Sequence, residues 1–404
     1  MHDRLTLAWK VLVNYAELTR CFDLLSVTPA EGPGRFAFCV PNANAYARWP
    51  DYPVPARPES GRAASGRGLT AEQCRASALG EAVELASACV WGDEPLVTAS
   101  PDALGASAVS PVTLNGFSDG QIATRDVWNA GPYGALDWRS RAVDTAAPID
   151  WMVAITCDGT RCHVPADYVL VGRREKGDAG AIAIATTSGC ASAATLEEAK
   201  RAALLELIER DAVGRWWYGR VPRPEVPVAE FAVPGDVSAY LSGRARQTLL
   251  LDLTTHIGVP VIAALSHAAD GRDLGLGFGC HPNPSDAARS AITELFQTEI
   301  GLQQRAGQGD PLHRIWVETA TVSKVPLAQV RAATPTAIPG DLSELTLRLA
   351  RQGLTTAFVD LTRVAFDVPV VRAIVPGLWT DKPRFAGLRS AGIPEPDKFL
   401  PLLV

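Results

Sequence analysis

The sequence contains no apolar run near the roughly 18 residues that a membrane-spanning helix needs. Its longest apolar stretches, Gly258–Leu265 and Val368–Trp379, are shorter and broken by Pro260, Pro369 and Arg372. Near the N-terminus, Asp3, Arg4 and Lys10 are not followed by a clean apolar segment, so nothing reads as a secretory signal. These absences lead to the expectation of a soluble, cytoplasmic protein with no membrane partner. Lysine is scarce, at six of 38 basic residues, and 44 acidic residues bring the net charge to −6. A nucleic-acid partner would call for a concentrated basic face, which that balance argues against. The eight cysteines form no CxxC pair, and Cys157 and Cys162, followed by His163, lack the paired short spacings of a zinc site. They read as thiols of a reducing compartment. His163, His256, His267, His281 and His313 show no metal-ligand spacing either. There is no Walker A motif, and Gly275-x-Gly277-x-Gly279 is not a dinucleotide fingerprint; it reads as a tightly packed strand end.

What is present is an ordinary globular composition, 404 residues with 47% apolar and 20% charged. That is enough for one large domain or two smaller ones, and too apolar for disorder. Prolines and glycines from Pro53 to Gly68 lead into a helix that starts at Thr70, with Gln73 at the capping-box position, and runs to about Ser87. Residues 91–150 read as loop-rich. Strands are expected at Trp151–Thr156, Ala166–Val171, Thr248–Leu253, Val259–Leu265, Leu274–Cys280, Thr355–Leu361 and Val368–Val375. Further helices are expected from Thr195 towards Trp217, after Asn283-Pro284-Ser285 to about Leu302, and over Leu342–Gly353. Helices and strands mix without strict alternation, so the fold class is α+β, as one integrated domain over 61–404 behind an N-terminal extension, 1–60.

Three of these helices repeat one pattern: Ser77-x3-Glu81-x2-Glu84, Ala202-x3-Glu206-x2-Glu209 and Ser290-x3-Glu294-x2-Gln297, with Glu198 two turns ahead of Glu206. Positions three and four apart share a helical face. A solvated glutamate face would explain any one of them, and Glu198 also fits the capping box begun by Thr195. Three copies among Ala, Leu, Ile, Val and Phe are harder to explain that way. Converging carboxylates repel by about 4 kcal/mol per pair at 4 Å and an effective dielectric of 20. Cations must neutralise such a cluster, and oxygen-only ligands favour Mg²⁺, above all with phosphates.

The residues around this pattern resemble the YcaO family. Gly66-Arg67-Gly68-Leu69-Thr70 with Ala76 to Glu84 is similar to its opening block. Thr195 to Ala199 with Leu205 to Ala212 and Trp216-Trp217-Tyr218 resembles the central block, and Ala287 to Gln297 the third. Asp360-Leu361-Thr362, Pro369 to Arg372 and Val375 to Leu378 resemble its C-terminal strands, while Phe117-Ser118 with Gln121, Arg125 and Asn129 resembles the azole-forming branch. Several positions depart from the family pattern: Leu85 stands where an arginine is usual, Arg67 where a lysine is, Ser192-Ala193-Ala194 replaces Ala-Gly-Asn, and the tail from Pro394 to Val404 only partly keeps the alternating prolines.

The resemblance implies a YcaO-type domain with mixed sheets and a helix-lined ATP and Mg²⁺ site. It implies a cyclodehydratase in which a Cys, Ser or Thr of a ribosomally made precursor peptide attacks the preceding carbonyl, and ATP phosphorylates the amide oxygen so that phosphate leaves and an azoline forms. Carried over by position, Glu81, Glu84, Glu198, Glu206, Glu209 and Glu294 would face Mg²⁺, and Arg67, Ser77, Ser188, Arg210 and Gln297 would contact nucleotide. The implied partners are the precursor peptide, a separate leader-binding protein and an FMN-dependent dehydrogenase, with room for a homodimer. Trp216-Trp217-Tyr218 reads as core packing and Cys190 as a small packed residue. Alternatives left open are thioamide or amidine formation on the same ATP chemistry, and a degenerate scaffold subunit.

Overall fold

The computed structural model describes residues 15–27, 32–47, 63–305, 311–386 and 400–402. The proline-rich stretch 53–61 and the tail residues 394–399 lie outside the described residues. The described strands are β1 (Phe22–Val27), β2 (Arg35–Pro41), β3 (Ala64–Gly68), β4 (Val97–Ala99), β5 (Ile149–Thr156), β6 (Arg161–Pro165), β7 (Cys190–Ser192), β8 (Arg223–Glu225), β9 (Gln247–Asp252), β10 (Val261–His267), β11 (Gly275–Cys280), β12 (Leu327–Arg331), β13 (Ala357–Asp360) and β14 (Val370–Ile374). The longer helices are α1 (Ala71–Ala88), α2 (Leu196–Trp217), α3 (Gly235–Gly243), α4 (Pro284–Arg305), α5 (Pro311–Thr319) and α6 (Leu342–Ala350). The fold is α+β, as the unordered succession of helical and strand patterns implies. No helix among the described residues is long and apolar enough to cross a membrane.

The chain forms two compact units. One comprises Met1–Val27, Phe36–Leu207 and Leu349–Gly377, and the other Thr28–Arg35, Ile208–Arg348 and Leu378–Val404, so α2 contributes residues to both. In the first unit β1-β2-β3 form one sheet and β4-β5-β13-β14-β7 another, with β6 paired to β5. Thr70 caps α1 by accepting from the Gln73 amide while Gln73 returns to the cap, a complete capping box. The apolar face of α1, including Ala78, Leu79, Ala82, Val83 and Leu85, is buried in the core. Leu85 therefore holds a position where a longer arginine would have to displace packed side chains. Helix and strand meet at backbone distance: a Cβ on Gly66 would lie 2.1 Å from both the Ala78 nitrogen and the Cys74 oxygen.

In the second unit the sheet order is β11-β10-β9-β8-β12, with only β12 and β8 parallel. Every residue of β10 is buried, including Ser266 and His267 at the end of its apolar run. The glycine-rich strand β11 receives α4 in the same way: a Cβ on Gly277 or Gly279 would lie 2.2 Å from the backbone of Leu295 or Ala287. The tight-packing reading of that repeat holds. Trp216, Trp217 and Tyr218 are buried beside Phe278 and Trp316. The Trp217 indole N–H donates to the Leu400 carbonyl (2.6 Å) and the Leu402 amide donates to the Tyr218 hydroxyl (3.0 Å).

Two expectations need correction. Ala166–Val171 is not a strand: Ala166–Val169 is a helical turn. There the buried Asp167 gathers Arg173, Arg174 and the Ile182 amide, interactions that outweigh β propensity. The loop-rich stretch 91–150 holds short helices at Pro101–Leu104, Pro111–Asn115, Asp119–Ala123 and Arg125–Ala130. Ser100, Ser110 and Ser118 cap the first three, a signal legible in the sequence.

Candidate functional site

In the first unit the carboxylate pattern of α1 meets that of α2. Glu81 is exposed and Glu84 half-buried on α1, and Glu206 is half-buried on α2. Burial, and then the charges of Glu206 and Glu81, push the Glu84 carboxyl well above the usual carboxylate range. The Arg372 guanidinium and a hydrogen bond from the Ser192 amide pull it only partly back. Arg372 lies on β14, almost fully buried, and donates to the carbonyls of Ser188 (3.1 Å) and Thr186. Its Nε is buried without a hydrogen-bond partner among the described residues. Cys190, on β7 beside the same charges, is buried, and that burial pushes its thiol up to about 12. It is a packed residue, not a thiolate nucleophile at neutral pH.

Other residues marked from sequence lie in the same unit. Arg67 lies half-buried on β3 and Ser77 half-buried on α1. Ser188 sits in a turn closed by the Cys190 amide on the Thr187 carbonyl (2.8 Å). Glu198, in the first turn of α2, accepts from the Thr195 hydroxyl (2.9 Å), and its own amide donates to that hydroxyl (3.2 Å). The Thr195 hydroxyl thus caps the Glu198 amide, one half of a capping box. Gln121 is completely buried and accepts from the Ser118 amide (3.1 Å), and Asn129 bonds the Arg139 backbone in both directions. These branch-like residues brace a local scaffold.

In the second unit Glu209 and Arg210 are half-buried on α2, and Ser290, Glu294 and Gln297 are half-buried on α4. Arg210 acts on Asp381: burial alone would raise that carboxyl, but Lys382 and Arg210 hold it down to about 2. The neighbouring Asp211, fully buried, accepts from the Trp379 amide at 2.9 Å.

Among the described residues no group of three or more His, Cys, Asp or Glu side chains is arranged to hold a metal ion. The donor chemistry of the first unit nevertheless fits Mg²⁺. It is all oxygen, it is crowded with like charge, and its charge is only partly offset by one arginine. Sequence reasoning missed Arg372, Asp211 and Asp381 as members of these clusters. The available signal for the first was a charged residue inside an apolar run, Val370-Val371-Arg372-Ala373-Ile374.

The model of the family described as YcaO cyclodehydratase, ATP- and Mg²⁺-binding, matches residues 65–379. An uncharacterized protein of Methanothermobacter thermautotrophicus is 30% identical over 339 residues, 78% of this chain and 81% of its own length. A heterocyclase solved in complex with substrate and cofactor superimposes with a TM-score of 0.85 at 26% identity, over 98% of this chain and 56% of its own. The heterocyclase TruD gives a TM-score of 0.69 at 30% identity, over 79% of this chain and 47% of its own. The chain thus spans about half the length of these two heterocyclases. With the carboxylate pattern, the α+β architecture and the match over most of its length, the chain belongs to the YcaO cyclodehydratase family, whose cofactors are ATP and Mg²⁺.

Proposed function

We propose that the chain is the ATP-dependent cyclodehydratase subunit of a peptide-modifying system, converting Cys, Ser or Thr residues of a ribosomally made precursor to azolines. The observation that carries this reading is the Glu84 carboxyl, which the charges of Glu206 and Glu81 oppose and the Arg372 guanidinium pulls back only in part. A fold keeps such repulsion where a bound cation relieves it. When bound, ATP would supply the phosphoryl group that makes an amide oxygen a leaving group, and Mg²⁺ would neutralise the charge on the phosphates.

The protein's part is positioning and charge neutralisation. In the first unit Glu81, Glu84 and Glu206 hold the cation, Glu198 shares that role from the start of α2, and Arg67, Ser77 and Ser188 orient the nucleotide. In the second unit Glu209 and Glu294 carry the metal-ligand role, and Arg210 and Gln297 the nucleotide role. A separate leader-binding protein that captures the precursor and an FMN-dependent dehydrogenase that oxidises the azolines complete the proposed system.

The test is mass spectrometry of the precursor after incubation with the chain, its leader-binding partner, ATP and Mg²⁺. Loss of one water per modified residue, with fragmentation placing a ring at Cys, Ser or Thr, supports the proposal. Replacement of oxygen by sulfur would identify a thioamide-forming enzyme instead. No ATP-dependent change, with phosphate release unaltered by Glu206→Ala or Glu209→Ala, would point to a scaffold subunit.

A further inference from the structure

We propose that Arg372 is a positioning residue of the nucleotide site, a fixed internal cation that holds the Thr186–Ser188 turn in its binding conformation before nucleotide arrives. The inference rests on the reading of Ser188 as a nucleotide contact and of Glu81, Glu84 and Glu206 as metal ligands.

A guanidinium in the middle of a buried β-strand is costly unless it is paired and hydrogen-bonded. Arg372, 2% exposed, spends its hydrogen bonds on a turn rather than on a carboxylate. One terminal nitrogen donates to the Ser188 carbonyl at 3.1 Å and the other to the Thr186 carbonyl, so the fork spans the turn around Thr187. The backbone of the same strand grips the far side: Ala373 donates its amide to the Gly189 carbonyl at 2.8 Å, and Arg372 is in register with Cys190. Gly189 has a φ of +78°, and a Cβ there would lie 2.8 Å from the Leu207 side chain and 3.0 Å from the Ala373 carbonyl. The turn is enclosed by β14 and α2, with little room for another conformation.

The same guanidinium faces the Glu84 carboxyl, which also accepts from the Ser192 amide. Arg372 therefore ties the turn and the carboxylate cluster to one rigid strand. A planar fork can hold two carbonyls at once, whereas a lysine ammonium in its place would keep the charge and lose that geometry. Such preorganisation raises affinity by reducing what must be ordered on binding.

The experiment is hydrogen exchange at residues 186–190 of the full chain without nucleotide, together with calorimetric binding of AMPPCP in the presence of Mg²⁺. In the wild type the Ser188 and Cys190 amides, bonded to the Thr186 hydroxyl and the Thr187 carbonyl, are protected before AMPPCP is added. Arg372→Lys speeds exchange in this turn while distant strands keep their protection, and it weakens AMPPCP by about tenfold, the scale of one lost charge-assisted hydrogen bond. Wild-type exchange and wild-type AMPPCP affinity in Arg372→Lys would overturn the proposal. If that variant does not fold, the wild type decides: a turn unprotected until AMPPCP binds is ordered by nucleotide and overturns it, and a turn already protected supports it. A wild type that binds no AMPPCP would overturn the functional reading as well, whereas equal binding by wild type and Arg372→Lys overturns this inference alone.

Discussion

Glu84 in the first unit and Asp381 in the second are carboxyls withdrawn from water that respond in opposite directions. Burial acts against the charge of both. Around Glu84 the nearest charges are mostly other carboxylates, and its carboxyl is driven up. Around Asp381 they are Lys382 and Arg210, and its carboxyl falls to about 2. Asp381 is completed by the chain itself and acts as a structural ion pair. Around Glu84 the raising influences of burial and neighbouring carboxylates outweigh the pull of Arg372, the balance a cation-binding site sets. Burial alone does not separate a structural carboxylate from a ligand; the sign of its neighbours does.

The largest expected effect lies at the charge-deficient cluster. Glu84→Ala or Glu206→Ala should lower precursor-dependent phosphate release by about 10²-fold or more, as loss of one preorganised electrostatic group does. A loss below a few-fold would place the cation elsewhere. Next come the backbone seats that carry the helices. Gly66→Val beneath α1 and Gly277→Val beneath α4 both force a Cβ into backbone atoms at 2.1 and 2.2 Å. Each should destabilise the fold by about 1–3 kcal/mol or more in denaturant unfolding, whether or not Mg²⁺ is present.

Asp381→Asn sharpens the contrast by pH. The folded pKa of about 2 lies below the ordinary 3.8, so the ionised group stabilises the fold above about pH 4, and that contribution is lost as pH falls towards 2. The variant should cost about 2 kcal/mol at pH 7 and progressively less as pH falls to 2 and below. An equal cost at both pH values would show that packing, not charge, holds Asp381. The smallest effect is at Cys190, whose thiol at about 12 should resist alkylation at pH 8 in the folded protein and react once unfolded. Rapid labelling in the folded state would mean that the cluster environment is wet.

Much of this was legible in the sequence because it depends on local patterns. The Thr70–Gln73 capping box, the glycine repeat of β11 and the repeated glutamate spacing all act within a few residues. The mixed α+β class followed from the order of those patterns. Ala166–Val171 misled because Asp167, inside a β-branched run, is claimed by Arg173 and Arg174, a tertiary demand that propensity does not encode. The short helices of 101–130 are hard to read from sequence because their serine caps lie among turn residues. Arg372 stands out in the sequence as a charge inside an apolar run, but its role shows only in three dimensions, because Thr186 and Ser188 lie more than a hundred residues away.

The most direct test of the central claim is the melting temperature of the full chain, wild type and Glu84→Gln, measured without metal and then with Mg²⁺ and AMPPCP. Removing one of the repelling charges should make metal-free Glu84→Gln more stable than metal-free wild type. Mg²⁺ with AMPPCP should then raise the wild-type melting temperature and leave that of the variant nearly unchanged. A variant less stable without metal, and stabilised by Mg²⁺ and AMPPCP as much as wild type, would contradict the assignment of this cluster as the cation site.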